Sequence, residues 1–224
     1  MKAMFKNLYE KLLNRIFYYK IRIKRYSVIE YWEQRAKFYG SRAVLNIGHS
    51  EAEMNAVTER QKAIIFPLLK PYLNENIKIV LDFGCGVGRF SEPLAFLTGA
   101  NVMAIDPIKQ FIELAPISSN VTFQHYDTQK PLPFADKSID LLWICLVFGG
   151  IADENLITIV ADLERILKPN GVLVLVENTS NQASSQYWSF RTVAFYEALF
   201  KTKKMNRVGS YIDVNEEISI MIGV

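Results

Sequence analysis

The chain is 224 residues long, 50% hydrophobic and 22% charged, with a formal net charge of +3. That length buries one sizeable core and is short for two, and so mild a charge does not by itself define a nucleic-acid binder. Cys85 and Cys145 fall in separate elements without metal-ligand spacing, and no apolar run reaches the roughly 18 residues that span a bilayer. With no signal-peptide core visible, a reduced, cytoplasmic protein without a metal is expected.

In the first 25 residues Lys2, Lys6, Lys11, Arg15, Lys20, Arg22, Lys24 and Arg25 stand against Glu10 alone, which leaves the remainder slightly acidic. Phe5, Tyr9, Leu12, Ile16, Tyr19 and Ile23 recur at alternating steps of four and three, laying one apolar-aromatic stripe along a basic helix. Two readings of residues 1–26 stand side by side. One is contact with an anionic membrane or a lipid-linked substrate; the other is packing on the same domain or a partner subunit. Residues 30–39 read as helix and 42–55 as mixed, with a turn at Gly48-His49-Ser50. Thr58 as N-cap with Gln61 three residues on predicts a helix to about Leu69, before Pro71. Residues 1–70 thus read as a helical cap, and residues 71–224 as the core of the same structural unit.

From residue 77 the pattern alternates. Strands are expected at 77–83, 102–105, 121–125, 139–146 and 172–176, with helices from 89 to 97, after the second strand to about 115, and from about 154 to 167. A helix over 188–200 and a last strand over 217–224 complete the reading. Near-continuous apolar strands alternating with helices call for a parallel sheet covered on both faces.

The most informative segment is Val80 to Phe90, an apolar strand that ends in an acid and runs into Gly84, Gly86 and Gly88. A glycine turn between strand and helix lets backbone approach a ligand closely. A dinucleotide fingerprint needs its last glycine where Arg89 stands, and the Gly-Lys-Ser/Thr of a P-loop is absent. Asp82, two residues before the first glycine, would repel a pyrophosphate but attract a cationic ligand. Asp106 closes the next strand about 20 residues beyond the glycines, where an acid can take both hydroxyls of a ribose.

The D-x-G-x-G-x-G run resembles motif I of the class I S-adenosylmethionine-dependent methyltransferases. Leu132-Pro133-Phe134, the strand start Ser138-Ile139-Asp140-Leu141-Leu142-Trp143, and Leu163 to Gly171 are similar to later segments of that family, with Asn170 where a second glycine is common. The resemblance covers residues 77–178. It implies an α/β, Rossmann-like, doubly wound, mostly parallel seven-stranded sheet with an antiparallel last strand beneath the N-terminal cap. It also implies S-adenosylmethionine as cofactor, held by Asp82, Gly84, Cys85, Gly86, Gly88, Asp106 and Pro107, with Asp127 and Thr128 at the adenine and Cys145 bordering the site.

The family's frequent histidine after the fourth strand is absent, since Phe148-Gly149-Gly150-Ile151 stands there. His49 in the cap and Glu177 at the end of the fifth strand are then the candidate bases for deprotonating a hydroxyl acceptor. Tyr187, Trp188, Phe190 and Arg191 are candidate acceptor-pocket residues or core. The reading is O-methylation of a small or carrier-linked acceptor such as a saccharide or lipid-linked glycan. An RNA methyltransferase is the alternative, against which the apolar stripe and the lack of an Asn-Pro-Pro-Tyr-like element argue. A non-catalytic membrane-associated binding module is the other. The oligomeric state is left open.

Overall fold

A computed structural model describes residues 12–17, 19–21 and 23–224. The expectations on Lys2, Phe5, Lys6, Tyr9, Glu10, Lys11 and Arg22 lie outside these. Among the described residues no helix is long and apolar enough to cross a membrane.

After helical residues in the stretch 12–23, helix α1 (Val28–Tyr39) starts at a capping box in which Ser27 and Glu30 satisfy each other's backbone N–H groups. Helix α2 (Met54–Leu69) has Glu53 as its N-cap, five residues before the expected Thr58. A Ser50/Glu53 box caps the turn that leads into it, and Thr58 lies in its interior with Oγ1 donating to the Met54 carbonyl.

The core is one seven-stranded sheet in the order β3-β2-β1-β4-β5-β7-β6. Its strands are β1 (Ile79–Phe83), β2 (Asn101–Asp106), β3 (Val121–His125), β4 (Ile139–Cys145), β5 (Leu167–Asn178), β6 (Met205–Asp213) and β7 (Glu216–Gly223). Parallel pairing runs from β3 through β5, and β7 is antiparallel to both neighbours. This is the doubly wound sheet that the sequence implied. Helices α3 (Ser91–Thr98), α4 (Lys109–Leu114), α5 (Asp153–Ile166) and α6 (Val193–Leu199) connect the strands.

The sheet buries apolar side chains on both faces. One cluster joins Trp143, Val174 and Ile220 to Leu94 of α3 and to Ile65 and Leu69 of α2; the other joins Leu142, Leu175 and Met221 to Leu163 of α5. A third cluster packs the cap residues Phe17, Tyr31 and Tyr39 against Val87, Ile108, Phe111 and Tyr187 of the core. At the C-terminal ends of the strands, cap and sheet therefore share one packed interface, where open α/β sheets place their ligands.

A sequence expectation is corrected here. The helix expected over 188–200 is confined to α6, which starts where Thr192 accepts from the N–H of Phe195; Trp188 instead fills the space over Gly149. Strand β6 supplies the seventh strand that the resemblance implies, at a position the sequence pattern does not mark. It is an edge strand, six of whose nine residues, Asn206 to Ser210 and Ile212, are exposed or half-buried, so no apolar run announces it.

Candidate active site

The C-terminal ends of β1, β2 and β4 form the floor of the site. After Asp82, the glycine turn folds back so that Gly84 and Cys85 donate their N–H groups to the Ile105 carbonyl, and Gly86 donates to Asp106 Oδ2 at 2.9 Å. Gly86 has φ 56 and a Cβ there would lie 2.6 Å from Val44 of the cap; Gly88 has φ 79 and its Cβ would meet the Phe123 ring at 2.5 Å. Neither position takes a side chain without moving its neighbour.

A cleft of about 740 Å³ opens above this turn. Asp82, Gly84, Cys85 and Gly86 line it on the β1 side, Asp106 and Pro107 at the end of β2, Thr128 after β3, and Cys145 at the end of β4. Ser27, Val28, Ile29, Trp32 and Val44 of the cap close over it. The acceptor-pocket candidates Tyr187, Trp188, Phe190 and Arg191 do not line it, and neither do four of the residues assigned to cofactor or catalysis. Gly88 serves the packing on Phe123. Asp127 is exposed, its carboxylate accepting from the Gln129 N–H and pairing with Lys130, contacts that lower its pKa. His49 is buried with Nε2 2.8 Å from Asp213 Oδ1. Glu177 is fully buried and accepts from Val147, Phe148 and Gly149.

Electrostatically the floor is acidic and desolvated. Burial raises the Asp82 carboxyl to about 7, against the Ser91 hydroxyl that donates to it at 2.6 Å. Burial also raises Asp106 to about 6, although its two oxygens accept from Gly86 and Ile108. Arg89, on the cleft wall, is anchored by donating to Thr58 and Gln61 of α2. Trp143 lines the floor with its indole Nε1 buried and unpartnered. Two carboxylates facing a bare-backbone turn suit a ligand with a cationic group and hydroxyl donors, and the cleft volume is that of a small-molecule site.

The cap wall built by Trp32 and Val44 escaped the sequence reading because helical periodicity places a residue on a face without saying which neighbour that face meets. Tyr126 lines the cleft with its hydroxyl pKa raised by burial, and no local signal in the sequence assigns it to the site.

Residues 81–175 match the family described as methyltransferase domain. The chain is 25% identical over 187 residues to phosphoethanolamine N-methyltransferase 1 of Triticum aestivum, covering 81% of this chain and 36% of that protein. It is 30% identical over 162 residues to a ubiquinone biosynthesis O-methyltransferase of Rickettsia typhi, covering 70% and 63%. It thus spans less than two thirds of the length of either relative. A solved structure of Haemonchus contortus phosphoethanolamine N-methyltransferase 1, in complex with phosphoethanolamine and S-adenosylhomocysteine, superposes with a TM-score of 0.61 at 17% identity, covering 88% of this chain and 48% of that one.

Residues 81–175 are a methyltransferase domain by that match, and the fold and glycine turn around them agree with the class I S-adenosylmethionine-dependent type. S-adenosylmethionine is the cofactor of that class, and the two carboxylates of the cleft, Asp82 and Asp106, fit a ligand that carries both a cationic group and hydroxyl donors.

Proposed function

We propose that this chain transfers a methyl group to a hydroxyl of a small or carrier-linked acceptor, such as a saccharide or a lipid-linked glycan. The observation that carries the reading is Asp106: buried at the end of β2, tied to the glycine turn through Gly86, and lining the cleft. In this reading Asp106 takes the ribose hydroxyls and Asp82 the cationic end of the cofactor. Gly84, Cys85 and Gly86 give close backbone contact, and Pro107, Thr128 and Cys145 complete the walls. Asp127 is given no adenine contact, because its carboxylate is turned to Gln129 and Lys130.

S-adenosylmethionine supplies an electrophilic methyl group for in-line displacement. The chain's own work is to hold the acceptor oxygen about 3 Å from that carbon and to keep water out. Trp32 and Val44 of the cap and Val147 and Gly150 after β4 line the cleft, with Gly150 close against the Trp32 indole, and suit both tasks. Glu177 supports the reaction as a positioning residue, through the loop it holds. A carrier-linked acceptor would present itself at a membrane, and the contact assigned to residues 1–26 serves that delivery.

Calorimetry with S-adenosylhomocysteine tests the cofactor site: micromolar binding is expected, lost in Asp106→Ala. Unchanged binding in that variant removes Asp106 from the ribose. Incubation with methyl-labelled cofactor and an extract fractionated into glycans, lipids, RNA and metabolites tests the acceptor, and label confined to RNA overturns this substrate class.

A further inference from the structure

We propose that the described helical residues between Leu12 and Ile23, with Lys24 and Arg25 after them, dock this chain on an anionic lipid surface and bring the mouth of the cleft against that surface. The inference rests on the carrier-linked acceptor above and names the partner that delivers it.

The stretch carries two apolar faces. The inner one is used within the molecule: Phe17 is 1% exposed, its ring 5.8 Å from Tyr31, 5.6 Å from Phe38 and 5.2 Å from Tyr39, and Ile21 packs against the same cluster. The outer one is the stripe read from the sequence, and the fold leaves it uncovered. Leu12 is 55% exposed, Ile16 41%, Tyr19 69% and Ile23 68%. Packing on its own domain is therefore done by the Phe17 side and does not account for the stripe.

Charge decides among outside occupants. At about 3.6 residues per turn, Arg15 and Lys20 fall on either side of the stripe. Both are exposed, as are Lys24 and Arg25. No acid occurs between residues 12 and 25. An apolar face bordered by cations alone is complementary to acyl chains beneath anionic headgroups. A second copy of the chain, meeting this face through two-fold symmetry, would bring like charges together.

Position ties the surface to the site. Four residues after Ile23, Ser27 already lines the cleft, followed by Val28, Ile29 and Trp32. The Tyr26 N–H donates to the Tyr187 hydroxyl at 3.2 Å, which fixes the junction to the core. Ile151 and Ala152, next to the Gly150 that abuts Trp32, also line the cleft. An acceptor carried on a lipid would thus meet an apolar entry directly beside the docking stripe.

The test is flotation of the full chain with vesicles of phosphatidylcholine alone and with an equal mixture of phosphatidylcholine and phosphatidylglycerol, at low and high salt. Binding to the mixed vesicles only, weakening with salt and lost in the Ile16→Glu/Ile23→Glu double variant, is expected. That variant leaves Phe17 in place, so unchanged thermal unfolding and S-adenosylhomocysteine affinity show that its fold is intact. Equal binding to both vesicles, or to neither, overturns the proposal. So does a solution mass that doubles in the parent chain and not in the variant, which would assign the stripe to a second copy. Flotation needs neither cofactor nor acceptor. A labelled product in the water-soluble pool, with flotation intact, would sink the lipid-linked acceptor and leave the docking surface standing.

Discussion

Glu177 and Arg191 grip one turn of backbone from opposite sides. Glu177 Oε1 accepts the N–H groups of Val147 at 2.7 Å and Phe148 at 2.6 Å, while Arg191 donates to the carbonyls of Phe148 at 2.6 Å and Ile151 at 2.7 Å. The turn follows Leu146, held at φ 58, and contributes Val147, Gly150 and Ile151 to the cleft. Glu177→Ala leaves buried donors without an acceptor and should cost about 3 kcal/mol or more in urea unfolding.

Glu177→Gln separates the hydrogen bonds from the charge. The amide oxygen can keep both bonds made by Oε1, so this variant should fold where Glu177→Ala fails. Burial raises the Glu177 carboxyl to about 7, from an ordinary value of 4.5. Its native form therefore holds a proton that the unfolded chain has already released. The stability linked to that proton is full below about pH 4.5 and is lost as pH rises through about 7. Stability of the parent chain relative to Glu177→Gln should fall by a few kcal/mol between pH 4.5 and pH 8. A difference that stays constant with pH would show that Glu177 is not desolvated as the structure has it.

Gly86 and Val44 join the glycine turn to the cap. Gly86→Ala forces a side chain into φ 56 and against a methyl group 2.6 Å away. The left-handed backbone costs about 1 kcal/mol, and displacing Val44 disturbs a wall of the cleft. S-adenosylhomocysteine affinity should drop about tenfold or more, each factor of ten being about 1.4 kcal/mol. Adding Val44→Ala should recover the steric part and leave the backbone part. No recovery in calorimetry would mean that the cap does not press on the turn.

Local signals carried the fold where partners are close in sequence. The glycine turn, the acid closing β2 and the apolar runs of β1, β4 and β5 are each set by neighbours a few residues away. The hairpin between β6 and β7 was not legible, because its two-residue turn places Val214 at φ 48 and Asn215 at φ 66. Such turns normally announce themselves with glycine or asparagine at both positions, and a valine hides the signal. The start of α2 was misplaced because Thr58 and Gln61 have the spacing of a cap but are spent on Arg89, about 30 residues away in sequence. In the site, Asp127 has an acid's chemistry at a plausible place. A turn two residues long decides that its carboxylate faces Gln129 rather than the cleft.

Asp106 should make cofactor binding pH-dependent. Burial raises it to about 6 in the free protein, and accepting two hydroxyl donors requires the ionised form. Affinity for S-adenosylhomocysteine should therefore weaken as pH falls through about 6, approaching tenfold per pH unit below it. Ligand-free stability moves the opposite way, because the proton held by folded Asp106 stabilises the native state as pH falls toward its ordinary value of 3.8. Asp106→Asn should weaken binding and remove this step, leaving the step that Asp82 contributes near 7. Calorimetry between pH 5 and pH 8 reads both variants, and an unaltered step in Asp106→Asn would move the titration to another group.

His49 and Asp213 form a buried pair that Arg60 completes at 2.9 Å from the same carboxylate oxygen. The pair ties the segment before α2 to the end of β6, and neither residue lines the cleft. His49→Gln should then cost about 1 kcal/mol of stability through the weakened hydrogen bond and leave the shape of the pH–rate profile unchanged. A histidine that removed the acceptor's proton would instead cost about 100-fold or more in turnover. Measuring unfolding and turnover on the labelled acceptor separates the two roles: a loss of that size in a stably folded variant would return His49 to the chemistry, through a movement of the cap that brings it to the cleft.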